Sequence, residues 1–470
     1  MLSLWSLGIQ NELFPLIHQM NKQSLISIRT PYGTSSQFSC PSIVKQGAVL
    51  STNLCGSSTG QLISELDVTD ECGATIGGAL IKGVMFVDDS TTVNRNPNGS
   101  IKSNHTVSSF SRKRRLGLNI PKCVQLPVNL NKSEIPPLLL LDNEEVATVT
   151  SSKCLGDIFA SNGANNELIL DRVGKGKSII ISALSLCNDI TLGQHYVKSA
   201  VTFYKCVFLQ CVLFNSEAWS NITQTHIKEL RRVQLKFLKR IMQAPNATPN
   251  CFTFLEFGLL PIDYEIHKRQ LMFLQHILKL PPSAPVFQLY QQQVLFAHEH
   301  NWPNTMKQLL VIYNLQHADA QNKSKNDWKL LVNTAVTNVA FKSLTTICRN
   351  KAKTSHLQYD TFTPQPYLAT CPTDVSAFLF RLRSRSLNCK DNHHESYPNL
   401  ICRKCNVEIE RQQHIINCRS IFPNVSHLLL DELLLSNLEP NMVFVRRIMD
   451  RYLKFHEGKC NQQPPPLPLK

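Results

Sequence analysis

Four residues near the C-terminal end restrict this chain most. The segment "CRKCNVEIERQQHIINC", residues 402–418, places Cys402, Cys405, His414 and Cys418 in the pattern C-x2-C-x8-H-x3-C. A gap of two residues lets both thiolates of a knuckle reach one ion. A His and a Cys four residues apart share one face of a helical turn and complete a tetrahedron. Three thiolates and one imidazole leave no open coordination position, so the set predicts a structural zinc ion, not a catalytic one. Four unrelated residues are the alternative, because the chain has sixteen cysteines. His393 and His394 read as a solvated loop pair.

The other cysteines are scattered. The start, Met1-Leu2-Ser3-Leu4-Trp5, lacks the basic region and small-residue cleavage site of a secretory signal. An intracellular protein, nuclear or cytoplasmic, is expected, with reduced thiols in place of a disulfide framework. Forty-nine basic residues stand against 34 acidic ones, a formal charge of +15. Such an excess points first to a polyanion and second to an anionic membrane surface. The longest apolar stretch, residues 200–214, is broken by Lys205 and Gln210 and is too short to span a bilayer. No membrane partner is expected.

The pattern predicts an α+β chain. Residues 1–30 carry helix-like apolar spacing, and residues 76–95 read as a hairpin. Residues 94–105, "NRNPNGSIKSNH", read as a loop from their Asn, Pro and Gly. From about residue 166 to 350 the spacing is helical. In residues 222–242, Ile227, Leu230, Val233, Phe237, Leu238 and Ile241 share one arc at 100° per residue. Lys228, Arg231, Arg232, Lys236, Lys239 and Arg240 share the other, which either meets solvent or lies against phosphates. Pro261 suits the start of a second helix that stops at Pro281-Pro282. The end, "NQQPPPLPLK", reads as extended.

"GVMFVDDSTTV", residues 83–93, puts Asp88 and Asp89 at the tip of a strand–turn–strand. Adjacent acids are costly unless a cation sits between them, and carboxylates are the hard ligands that hold Mg²⁺. The pair is either a metal-binding element or a solvated turn, and alone it does not discriminate.

Its surroundings do more. "VKQGAVLSTNLC" (44–55) precedes it, and "LGLNIPKC" (116–123) and "CLGDIF" (154–159) follow. "LFNSEAW", "LRRVQLKFLKRIM" and "TPNCFTFLEFGLLPIDYEIHKRQLMFLQHIL" come next, then "FLFRLRSRSLN" ahead of the Cys/His cluster. In that order and spacing the series resembles the reverse transcriptase of non-LTR (LINE-like) retrotransposons over residues 1–420. The resemblance implies a partial polymerase palm at 1–165, with a short antiparallel sheet and helices, and a helical thumb at 166–280. A helical connector at 281–390, a CCHC zinc module at 391–425 and a C-terminal helix with a Pro-rich tail at 426–470 would follow.

By position, Asp88 and Asp89 would hold Mg²⁺ for two-metal nucleotidyl transfer, and Lys122 would be an acid near the pyrophosphate. Gln46 and Gly47 would flank the incoming nucleotide, with Leu155 and Gly156 at the primer grip. Partners would be an RNA template, a DNA primer or target and a dNTP. Arg381, Arg383, Arg385 and Lys390 would add phosphate contacts. These polymerases use a third Asp on an earlier strand, and here no acid ends an apolar strand upstream of Leu4. With fingers and one ligand missing, the expectation is an RNA-directed DNA polymerase fragment that does not polymerise alone and needs an upstream segment. Residues 1–165 should be less well folded than the helical part, because their strands lack partners. The alternative is a non-enzymatic nucleic-acid-binding protein that uses the basic helix and the zinc module.

Overall fold

The structure, a computed structural model, describes residues 9, 12–22, 25–39, 50–76, 79–130, 135–189, 196–295, 301–430 and 441–457. Gln46 and Gly47, the apolar spacing before Gly8 and the Pro-rich end lie outside the described residues. The fold is mixed: many helices with short two-stranded sheets. It divides into two units. One comprises residues 1–154, 159–163 and 281–296; the other comprises residues 155–158, 164–280 and 297–470. Among the described residues no helix is long and apolar enough to cross a membrane.

In the first unit the described strands pair only two by two. Strand Gly83–Phe86 runs antiparallel to Asp89–Thr92, with Phe86 opposite Asp89. Beneath lies a small core of Leu62, Leu66 and Phe110, joined by Met85 and Val107. A second small core gathers Leu139, Leu141 and Val146.

The reading of residues 94–105 as a loop is corrected here: Pro97–Arg114 is a helix. Asn96 is its N-cap, accepting from the Gly99 N–H at 2.7 Å, and Pro97 occupies the first turn. An Asn-Pro pair opens a helix as readily as it makes a turn, because the missing proline N–H is one that no helix would use. The helix ends at Arg115 in a left-handed conformation, φ 56°.

The second unit is built from helices Asn166–Asp189, Gln224–Ile241, Asn250–Phe257, Ile262–Leu278, Lys325–Arg349, Thr373–Arg383 and Met442–His456. All six residues of the apolar arc expected between 222 and 242 are buried. Thr223 and His226 cap that helix reciprocally. Gln234, fully buried in its middle, donates to the Tyr204 hydroxyl and the Leu260 carbonyl and accepts from the Ile262 N–H. Asn250–Phe257 ends at Gly258, φ 57°, where a Cβ would stand 2.6 Å from Pro364 N. Only glycine fits there.

The sides of that junction are tied by a buried charge. Glu256 accepts from Tyr359 Oη at 2.7 Å, from Tyr367 Oη, and from Arg383 Nη2 at 2.9 Å. One continuous core extends from Leu168 to Phe455 and includes Cys389, Cys402 and Cys418.

Candidate metal centre and the predicted polymerase residues

A tight turn brings the knuckle together. Ile401 bridges Ile409, the Cys402 N–H donates to the Glu408 carbonyl at 2.7 Å, and Asn406 takes a left-handed φ of 56°. Asn is among the few residues that adopt this conformation cheaply. The turn aims the Lys404 N–H at Cys402 Sγ, 3.4 Å away. The short helix Gln412–Ile415 then delivers His414.

The donor atoms of Cys402, Cys405, His414 and Cys418 all lie within 4.8 Å of one another. Cys402 Sγ is 3.9 Å from Cys418 Sγ, and Cys405 Sγ is 3.5 Å from His414 Nε2. Zn–S bonds of about 2.3 Å and Zn–N bonds of about 2.0 Å in a tetrahedron require edges of about this length. These four residues can hold a metal ion, and their soft donors suit zinc.

The ring is oriented for the role. His414 Nδ1 is 3.1 Å from Glu408 Oε2, which leaves Nε2 facing the sulfurs. Such a carboxylate fixes the tautomer and raises ligand basicity.

Thiol chemistry here is governed by crowding. Burial raises the Cys405 thiol, but the backbone N–H groups of Glu408 and Val407, with Cys402 and His414, outweigh it and bring it down to about 7. Burial, with Cys402 and Cys405 beside it, pushes Cys418 up to about 12. Three thiolates this close cannot all ionise without a cation.

Beside the cluster, buried Glu410 accepts from Arg403 Nε at 2.7 Å and from the Lys390 backbone N–H at 3.2 Å. Burial works against its charge, and Arg403 overcomes that and holds Glu410 below the usual carboxylate range.

The remaining predicted residues fare differently. Asp88 and Asp89 are both exposed at the tip of their hairpin. Val87, just before them, has a φ of 61°, a strained value for a β-branched residue, and its carbonyl accepts from Thr59 Oγ1 at 2.7 Å. Among the described residues, no third His, Cys, Asp or Glu joins them in a ligand group. A two-metal site needs more oxygen donors than this pair supplies, so the described residues do not fit a pair of Mg²⁺ ions.

Lys122 is exposed in the short turn Ile120–Lys122. Leu155 and Gly156 form the turn between strands Ser151–Cys154 and Asp157–Ala160, with φ of 47° and 89°. The Gly156 carbonyl accepts from Arg172 Nη2 at 3.0 Å, and Arg172 also pairs with Asp157 and stacks over Phe214. That turn is therefore held by internal contacts.

Arg383 corrects the expected row of phosphate contacts: it is 1% exposed and bound to Glu256. Arg381 and Lys390 are half-buried, while Arg385 is exposed. On the basic helix, Lys239 likewise points inward. It donates to the carbonyls of Asn246 at 2.7 Å and Thr248 at 2.6 Å, and to Asn250 Oδ1 at 2.9 Å. Burial brings its ammonium down to about 8. Arg231 pairs with Asp263 at 2.6 Å. Lys228, Arg232, Lys236 and Arg240 remain exposed.

Sequence reasoning missed Glu256, Glu408 and Glu410. For Glu408 a signal existed, since it lies between the second and third predicted ligands, where a carboxylate can reach back to the imidazole.

No family model matches the chain, and no curated protein matches it.

Proposed function

We propose that this chain binds RNA or DNA along the helix Gln224–Ile241, in a helical region completed by a structural zinc ion at Cys402, Cys405, His414 and Cys418. The observation that carries the reading is the residual stripe on that helix. With Arg231 and Lys239 turned to internal partners, Lys228, Arg232, Lys236 and Arg240 stand exposed at every fourth position. They extend over about 18 Å of helix. Only Arg232 has an ion-pair partner among the described residues, Glu229 at 2.9 Å. A regular row of cations fits a regular row of phosphates, and counterion release supplies the affinity. The ordered motifs, which resemble those of non-LTR reverse transcriptases, favour the same partner class.

The test is a titration of labelled RNA and DNA against salt concentration. Binding should weaken steeply with salt. Replacing the four stripe residues by Gln should flatten the slope of log affinity against log salt by about three, at about 0.7 to 0.9 per phosphate contact. Absence of binding, or binding insensitive to salt, overturns the reading.

A second reading, a reverse transcriptase fragment whose Asp88 and Asp89 retain a catalytic role, is favoured by one observation. Strained backbone such as that at Val87 clusters at functional sites. The incomplete donor set argues for an idle pair in the purified chain. Template-directed dNTP incorporation that disappears in Asp88→Ala would replace the binding reading with the catalytic one.

A further inference from the structure

Within the helical unit, a groove of about 590 Å³ opens between the helices Ile262–Leu278 and Lys325–Arg349. Its volume is that of a small-ligand site. Two carboxylates line it, Glu217 and Glu265, together with Lys268 and Arg269. Glu265 pairs with Lys268 at 3.7 Å, and both acids act on Arg269. These four charges offset one another. Lys279, Lys325 and Lys329 also line the groove; Lys279 Nζ donates to the Lys323 carbonyl at 2.6 Å, and among the described residues none of the three has an ion-pair partner. Lys325 and Lys329 are exposed one helical turn apart, about 6 Å along the axis. Three exposed lysines from the ends of two helices thus line one groove without a carboxylate paired to them, and an anion entering it would meet all three.

The wall beside them is aromatic. The exposed His276 ring stacks on Phe273, with centroids 6.0 Å apart and planes within 24°. Phe273 is in turn fixed edge-on by Trp302 at 5.7 Å. Trp302 is anchored through its indole N–H to the Glu217 carbonyl at 2.9 Å. The ledge is therefore rigid, and one ring lies open to solvent. A flat π face in one groove with cations that have no carboxylate partner matches a nucleotide: base on ring, phosphates on ammonium groups.

We infer that this groove seats a nucleotide of a single-stranded nucleic acid, its base against His276 and its phosphates on Lys279, Lys325 and Lys329. The inference rests on the nucleic-acid-binding reading and adds to it a place where the strand must be unpaired.

The experiment uses the full chain and fluorescein-labelled oligo(dU), with a duplex of equal length and free UTP as further arms. Lys325→Gln/Lys329→Gln should weaken oligo(dU) binding about tenfold at moderate salt, because two phosphate contacts are lost. His276→Ala should weaken it about tenfold as well, with the salt slope unchanged, since stacking carries no counterions. Duplex binding should be unaffected by His276→Ala. If the groove variants bind oligo(dU) like the parent while the Gln224–Ile241 stripe variant does not, the groove assignment falls and the general reading stands. If the parent binds no nucleic acid, both fall. If UTP binds as tightly as oligo(dU), the ligand is a free nucleotide and the strand assignment is overturned.

Discussion

Glu256 shows how one side chain can hold distant segments together. Its hydrogen-bond partners Tyr359, Tyr367 and Arg383 lie 103, 111 and 127 residues further along the chain. All four residues are buried. Burial opposes the charge on Arg383, and Glu256 with the two tyrosines overcomes it. Removing one partner of such a pair leaves the other charge stranded. Glu256→Gln should therefore lower unfolding free energy by about 3–5 kcal/mol, a large share of an ordinary total of about 5–15. Tyr359→Phe removes one hydrogen bond and leaves the charges paired, so it should cost about 1–2 kcal/mol. Urea titration of the two variants checks the ordering, and equal losses would show that the charge pair contributes no more than one hydrogen bond. None of this was legible in the sequence, because no local period marks a pair separated by more than a hundred residues. Arg383 itself was read as a phosphate contact, since an Arg beside Arg385 looks like part of a basic patch until its partner is seen.

At the level of elements, legibility followed local repetition. The helix Gln224–Ile241 was readable because its apolar arc repeats for five turns, and all six predicted core positions are buried. Its cationic arc was only partly readable. Lys239 and Arg231 leave it for specific acceptors that a helical wheel does not encode. The helix Pro97–Arg114 was missed because its first turn uses Asn, Pro and Gly, residues shared by caps and turns. The hairpin at Asp88 and Asp89 was readable in position, yet its described strands join no larger sheet. An isolated two-stranded hairpin is marginal in water. Among the described residues, its core contact is Met85 on a three-residue cluster. Hydrogen exchange should accordingly find the amides of residues 83–92 exchanging within seconds, near the free energy of local fraying. Those of residues 230–238 should be protected close to the global limit. Equal protection in both would mean that the hairpin has partners beyond those described here.

For the molecule as a whole, the metal cluster raises a question that its spacing left open. The resemblance to retrotransposon polymerases implies a CCHC zinc module at 391–425, and such a module would be independent if it packed on itself alone. Its four ligands were legible because C-x2-C and H-x3-C are local geometry. Its surroundings were not, and they show that the cluster shares its packing. Cys402, Ile415, Ile416 and Cys418 are fully buried in the same core as Phe252, Phe380 and Leu230. Gln412 Nε2 donates to the Leu382 carbonyl at 3.1 Å, and Arg451 Nη1 donates to the Ile416 carbonyl at 3.2 Å. Zinc affinity gained on folding is folding free energy, about 10–16 kcal/mol in isolated fingers. In a separate module that energy would stay local. In a shared core, losing the ion unseats Cys402 and Cys418 from beneath the helices Thr373–Arg383 and Met442–His456, and the deficit spreads. Chelation of the purified protein should therefore shift the main calorimetric transition down by about 8–10 °C, the size expected for a loss of about 5 kcal/mol in a unit of this length. Glu408→Gln should weaken zinc binding about 10- to 100-fold in a chelator competition and lower the zinc-loaded transition by only about 2–5 °C, well short of the shift on chelation. A main transition that stays in place after chelation, with only a small early step lost, would restore the independent module.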